Sequence, residues 1–188
     1  VGAWIGDQYD HLKEAKKQGI PVVIVDRFAP GMELDQVITD NDLGGWLATS
    51  HLIGLGHKNI ACIAGKPQFT PNAERVNGYL RALNEKNIEV QPNLIIKSNF
   101  QMDGGYRTAQ NILSSSKRPS AIFACNDLMA IGVIRAAKDL GYQIPEDFSL
   151  IGFDGISATE YTTPQLTTVY QPMYDMGASA AELLLRRV

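Results

Sequence analysis

The chain has 188 residues, 45% hydrophobic and 20% charged, with a formal net charge of −3, the balance of a globular protein long enough to bury a sizeable core. That charge excludes a nucleic-acid grip by these residues, since phosphate binding needs a dense Lys/Arg surface; the tightest basic cluster, Lys13, Lys16 and Lys17, reads as the solvated face of a helix. No apolar run approaches the roughly 18 to 20 residues that span a bilayer, no basic-then-apolar leader is visible, and the opening VGAWIG, with no starting Met, reads as an internal piece of a longer protein.

In chain order, Ala3 to Ile5 is predicted as a strand, and Asp7 as the cap of a helix turning Tyr9, Leu12 and Ala15 inward until Gly19 and Pro21 stop it. Val22 to Val25 is a β-branched strand ending on Asp26-Arg27, followed by a loop from Ala29 to Leu34. Val37 to Thr39 is a short strand leading to Asp40-Asn41-Asp42, with Asp42 the predicted cap of a helix from Leu43 to Ile53. Ile60 to Ala64 is a buried strand, and Thr70-Pro71 opens a helix placing Val76, Tyr79, Leu80 and Leu83 on one face. Leu94 to Ile96 is a strand running out to Asn99-Phe100, and Asp103 is the predicted cap of a helix burying Tyr106, Ala109, Ile112 and Leu113.

The most informative stretch is Pro119 to Ile134, PSAIFACNDLMAIGVI. An apolar strand from Ser120 to Cys125 gives way at Asn126-Asp127 to a helix from Leu128, with Asp127 predicted to cap it. Phe148 to Gly155, FSLIGFDG, repeats the arrangement and ends its strand on Asp154. Ile156 to Pro164 reads as a loop, Leu166 to Tyr170 as a strand and Met176 to Arg187 as a helix.

Alternating strands and helices predict an α/β fold with mainly parallel sheets and right-handed crossovers. Two breaks in that rhythm, Val37 to Asp42 and Ile156 to Pro172, mark where the chain crosses between two lobes. The expected division assigns residues 1–41 and 165–188 to an incomplete N-terminal lobe and residues 42–164 to a C-terminal lobe, with a ligand cleft between them. In such sheets ligands bind outside the carboxyl ends of the strands.

Catalytic motifs are absent. Neither GxGxxG nor GxxxxGK[ST] occurs, and Gly65-Lys66-Pro67 lacks the hydroxyl that a phosphate loop needs. There is no GxSxG elbow, and His11, His51 and His57 have no partner at zinc-like spacing. Cys62 and Cys125 lie in apolar strands without a CxxC partner and read as buried free thiols, as in a reducing compartment. The expectation is a binding protein with no catalytic residue, metal or cofactor.

What the strand ends and helix starts do offer is Asp26, Arg27, Arg75, Phe100, Asn126 and Asp154. Each has a plainer reading, Arg75 as a surface residue and Phe100 as ordinary core. Together with Asp40-Asn41, His51-Leu52-Ile53-x-x-Gly56-His57-x-x-Ile60, Arg75-x-x-Gly78-Tyr79, Asn126-Asp127-x-Met129-Ala130-x-Gly132, Pro145-Glu146-Asp147, Gly152-Phe153-Asp154 and Pro164-x-Leu166-Thr167-Thr168-Val169, they resemble the LacI/GalR family of bacterial transcriptional repressors. The match runs in order from about Gly19 to the end.

The resemblance implies the effector-binding core of such a repressor, built on a type I periplasmic-binding-protein-like fold with two Rossmann-like lobes, the N-terminal one incomplete. It implies an effector site at Asp26, Arg27, Arg75, Phe100, Asn126, Asp154 and Gln171, the set that surrounds the sugar in ribose-binding relatives, with Phe69 as a further contact. Carboxylates accept from sugar hydroxyls, guanidinium forks donate, and Asn and Gln do both. It also implies a homodimer through Ile131 and Ile134 of the apolar helix LMAIGVIRAA, a cytoplasmic location, and operator binding only through a helix-turn-helix that these residues lack. Corepression, as in purine-responsive relatives, stays open beside induction. A periplasmic sugar-binding protein is the alternative, and it shares both fold and ligand.

Overall fold

A computed structural model describes residues 9–29, 31–65 and 70–188. The elements are α1 (Asp10–Lys17), β1 (Val23–Val25), β2 (Asp35–Val37), α2 (Asn41–Gly54), β3 (Ile60–Ala64), α3 (Thr70–Glu85), β4 (Ile95–Lys97), α4 (Met102–Leu113), β5 (Ala121–Ala124), α5 (Asp127–Asp139), β6 (Ser149–Asp154), β7 (Thr167–Tyr170) and α6 (Met173–Leu185). They build two parallel sheets, a small one of β1 and β2 and a large one in the order β4-β3-β5-β6-β7. The expected first strand, Ala3 to Ile5, and the cap at Asp7 lie outside the described residues.

The large sheet follows from its sequence. IACIA in β3 and AIFA in β5 are buried at every position, the near-continuous apolar run of a parallel strand covered on both faces. Right-handed crossovers from β3 to β4 and from β4 back across to β5 put α3 on one face and α4 with α5 on the other. Accordingly α2 packs on α3 and α4 on α5. Glycines permit both close pairs: a Cβ on Gly45 of α2 would strike the Arg75 carbonyl of α3, and one on Gly105 of α4 the Met129 carbonyl of α5.

Three expected helix caps differ. Asp40, not Asp42, caps α2, its carboxylate accepting from the Leu43 N–H at 2.9 Å. The helix starts at Asn41, so Asp42 falls in its first turn and pairs with Arg81 of α3. Asp103 likewise lies in the first turn of α4, bonded to Arg107. Asn126, not Asp127, caps α5, accepting from Met129 N–H at 2.9 Å. The stretch after Ile156 contains a short 3-10 turn over Ser157–Tyr161.

The expected division of the chain needs one correction. Thr167 to Tyr170 pairs with Ile151 to Asp154 of β6, so residues 165–170 join the large sheet and the return crossing comes later, at Gln171 and Pro172. Of the chain after β7, α6 packs on β1 and β2, beside the small core of Leu12, Ile24 and Ala29.

At the amino edge of the large sheet, His57 bridges Ser120 at 3.0 Å and Ser149 at 2.9 Å. Ser120 Oγ donates to the Asn59 carbonyl, which makes Nδ1 of His57 the donor and leaves Nε2 to accept from Ser149. Cys62 and Cys125 are both free and buried, with sulfurs 3.6 Å apart. Cys62 is in register with Phe123, so the two cysteines are diagonal neighbours across the parallel pair β3 and β5.

Gly45→Ala tests the α2–α3 contact. Alanine normally gains roughly 0.5–1 kcal/mol over glycine inside a helix; here the clash with the Arg75 backbone should reverse the sign and cost about 1–3 kcal/mol. Urea unfolding of the variant beside wild type measures it.

Candidate functional site

Strand ends of both sheets meet at one place. Asp26 follows β1, Phe100 follows β4, Asn126 follows β5, Asp154 ends β6 and Gln171 follows β7. Arg75 reaches them from α3 and is 4% exposed. A buried guanidinium must be paired or it costs several kcal/mol, and here it is surrounded. Nε donates to Asn41 Oδ1 at 2.8 Å, and Nη1 donates to the Cys125 carbonyl at 2.6 Å and to Asp154 Oδ1 at 3.1 Å. The Phe153 ring lies 3.7 Å below the guanidinium carbon. The plainer surface reading of Arg75 is therefore excluded.

These bonds use Nε and both hydrogens of Nη1, leaving Nη2 with two unspent donors among the described residues. Asp154 accepts from Arg75 and from Gln171 Nε2, at 2.7 Å, through the same oxygen, Oδ1, so Oδ2 is unspent as well. Burial lifts the Asp154 carboxyl to about 6; Arg75 and the Gln171 hydrogen bond pull it down, while Asp127 and Asp26 push it up. Asp26 enters from the other sheet. Its Oδ1 is buried with no hydrogen-bond partner among the described residues, and burial raises its carboxyl against the pull of Arg75 and Arg27. Asp26 and Asp154 both hold positive φ, 55° and 118°, conformations uncommon for a residue with a side chain.

The remaining expected residues are placed as follows. Arg27 is half-buried beside Asp26. Phe100 is half-buried at φ 63°, its ring against Gly65, where a Cβ would strike it. Asn126 is more committed than expected: Oδ1 serves as the α5 cap and Nδ2 donates to the Phe100 carbonyl at 3.0 Å, so it retains one amide hydrogen. Gln171 also splits its amide, since Oε1 accepts from Thr39 Oγ1 at 2.7 Å. Phe69 lies outside the described residues. Ile131 and Ile134 of α5 are half-buried, away from the strand ends.

Three residues of this neighbourhood were missed or misread in the sequence. Asp127 is fully buried; Oδ2 accepts from the Gly155 and Ile156 N–H groups at 2.7 and 2.9 Å, and Oδ1 accepts from Thr168 Oγ1 at 2.6 Å. It pins the backbone just beyond Asp154. Gly152 makes room, because a Cβ there would meet Asp127 Oδ1. Asn41 and Thr39 hold Arg75 and Gln171. A signal did exist for Asp127, the bare glycine in an otherwise apolar strand. No cluster of three metal-ligating side chains occurs among the described residues, nor any helix long and apolar enough to cross a membrane.

A two-sheet α/β core with polar strand ends facing a shared cleft defines a small-molecule-binding domain. The comparisons agree. Residues 49–188 match the periplasmic binding protein-like domain family, and the chain belongs to it, in the LacI/GalR branch. It is 43% identical over 184 residues to the HTH-type transcriptional repressor PurR of Vibrio atlanticus, covering 97% of this chain and 55% of that protein. It is 37% identical over 169 residues to the ribose operon repressor of Haemophilus influenzae, covering 90% of this chain and 52% of that one. A LacI family transcriptional regulator from Enterococcus faecium, solved with bound ribose, superposes with a TM-score of 0.87 at 36% identity, covering 96% of this chain and 67% of that one. The chain thus spans about half the length of the curated relatives it matches.

Asp127→Ala should lower the unfolding free energy by about 2–4 kcal/mol, because it leaves two backbone N–H groups and a threonine hydroxyl without their buried acceptor. Denaturant melts of the variant and wild type give the difference.

Proposed function

We propose that this chain is the effector-sensing core of a LacI-family transcriptional regulator and that its effector is a small polyhydroxylated molecule, ribose or a related pentose. The observation that carries the reading is the set of unspent polar atoms around Arg75: Asp26 Oδ1 without any partner, Asp154 Oδ2, and the two hydrogens of Arg75 Nη2. Two acceptors and a two-pronged donor match vicinal hydroxyls, each of which both donates and accepts. The half-buried Phe100 ring supplies an apolar wall of the kind that covers a sugar face. The ribose bound to the Enterococcus faecium relative and the name of the Haemophilus influenzae repressor point to the same ligand class.

The mechanism we propose is closure. Asp26 belongs to the small sheet and Arg75, Asn126 and Asp154 to the large one. A ligand shifts a conformational equilibrium only through its different affinity for the two states. A sugar that bonds to both sheets has that difference, because separated sheets cannot both reach it. In the parent protein closure alters operator affinity of a helix-turn-helix that these residues lack, and the protein works in the cytoplasm without catalysing a reaction. A periplasmic sugar carrier is the less supported reading, since the relatives compared are regulators.

Calorimetric titration tests the site. Ribose should release heat with wild type and none with Asp154→Ala; equal heats from both would sink the assignment, and heat from a purine base alone would reassign the effector. The affinity should also fall about tenfold between pH 7 and pH 5, as Asp154 takes up a proton near pH 6 and loses an acceptor. The sign for stability is opposite. A carboxyl raised on folding contributes stability that is present at low pH and lost as pH rises through about 6, so in the free protein this group favours the acidic side.

The proposed homodimer uses the outer face of α5. Ile131 and Ile134 are half-buried there, and Met102, at the start of the adjoining α4, is exposed. Ile131→Glu should convert the dimer to monomers in sedimentation velocity while leaving ribose binding intact.

A further inference from the structure

The side chains that leave atoms open toward the cleft also close a ring among themselves. Thr39 Oγ1 donates to Gln171 Oε1 at 2.7 Å, and Gln171 Nε2 donates to Asp154 Oδ1 at 2.7 Å. Arg75 Nη1 donates to that same oxygen at 3.1 Å, and Arg75 Nε donates to Asn41 Oδ1 at 2.8 Å. Asn41 Nδ2 then donates back to the Thr39 carbonyl at 3.1 Å. The chemistry permits only this orientation. A carboxylate only accepts, so Gln171 must turn its NH₂ toward Asp154 and its oxygen toward Thr39. A guanidinium only donates, so Asn41 must turn its oxygen toward Arg75 and its NH₂ toward the Thr39 carbonyl.

The positions of the members matter as much as the bonds. Thr39 lies on the connection from β2 to α2, and Gln171 on the connection from β7 to α6. Among the described residues these two connections carry the chain between the sheets. Asn41, Gln171 and Arg75 are 3%, 5% and 4% exposed, so water does not compete for these bonds and each is worth more than a surface contact. Among the described residues the polar side-chain atoms of Thr39 and Asn41 bond within the ring, and Thr39 Oγ1 also meets Met176 Sδ.

We infer that Thr39 and Asn41 are positioning residues for the effector pocket, holding Gln171 and Arg75 so that the open faces of Asp154 and Arg75 are fixed relative to both crossovers. Effector affinity and the relative placement of the two sheets then form one equilibrium, read at one ring. The consequence for an effector rests on the proposed sensing function; the ring itself does not.

Thr39→Val removes the hydroxyl and keeps the shape, and Thr39→Ser keeps the hydroxyl. The first readout needs no ligand: the carboxyl titration of Asp154 in the full chain, followed by carbon-detected NMR. Asp154 faces Arg75 from α3, Asp26 from the end of β1 and Asp127 from α5, and the Gln171 hydrogen bond lowers its titration point. Loosening Gln171 by Thr39→Val should therefore move the midpoint upward from about 6, and Thr39→Ser should leave it in place. Asn41→Ala should move it the same way by loosening Arg75. In parallel, Thr39→Val should weaken ribose binding about fivefold, the effect of one hydrogen bond, with Thr39→Ser close to wild type. An Asp154 midpoint unmoved in both Thr39→Val and Asn41→Ala overturns the inference whatever ribose does, as does an equal shift in Thr39→Ser. Shifted midpoints in a protein whose wild type takes up no ribose support the ring and overturn the effector assignment instead.

Discussion

A single buried positive charge organises this molecule. Arg75 sits almost wholly out of water, where an unpaired guanidinium would cost several kcal/mol. Everything within its reach is arranged to prevent that: a carboxylate from β6, a carbonyl at the end of β5, an amide from the start of α2 and an aromatic face beneath. The helix that carries it can stand where it does only because Gly45 lets the Arg75 backbone come against α2. Packing of two helices and chemistry of a pocket are thus the same fact seen from two sides.

Around that cation the acids are held above their ordinary range. Asp26, Asp127 and Asp154 are all raised by burial, and the neighbouring cations and donors only partly offset it. Asp127 is fully served by three donors and acts within the fold. Asp26 and Asp154 are not: among the described residues Asp26 Oδ1 has no partner and both bonds to Asp154 fall on Oδ1, and both backbones sit at positive φ. Two buried carboxylates left able to accept further donors are the unsaturated part of an otherwise closed network.

Much of this was legible in the sequence because parallel α/β architecture puts functional groups where apolar runs end. IACIA, AIFACN and LIGFD announce buried strands and name the polar residue at the carboxyl end of two of them, and the structure places Asn126, Asp154 and Asp26 at strand ends as expected. The errors share a cause. Local chemistry lets either of two neighbours cap at Asp40-Asn41-Asp42 and at Asn126-Asp127, and contacts with Arg81 and the Gly155 backbone decide between them; at α4 no side chain caps, and Asp103 pairs with Arg107 instead. Thr39 and Gln171 lie 132 positions apart, and no periodicity connects them. The place where the chain returns to the small sheet was set too early because the TTVY segment, a strand in either reading, reveals its partner only through its register with β6.

At the far margin of the sheet, His57 stitches the first residues of two neighbouring strands to its own. A sheet anchored along that margin resists shearing between strands, so the three central strands β3, β5 and β6 are braced together. The two thin connections at Thr39 and Gln171 lie at the opposite, carboxyl margin, so the sheet is stitched on the side away from the place where the chain leaves it.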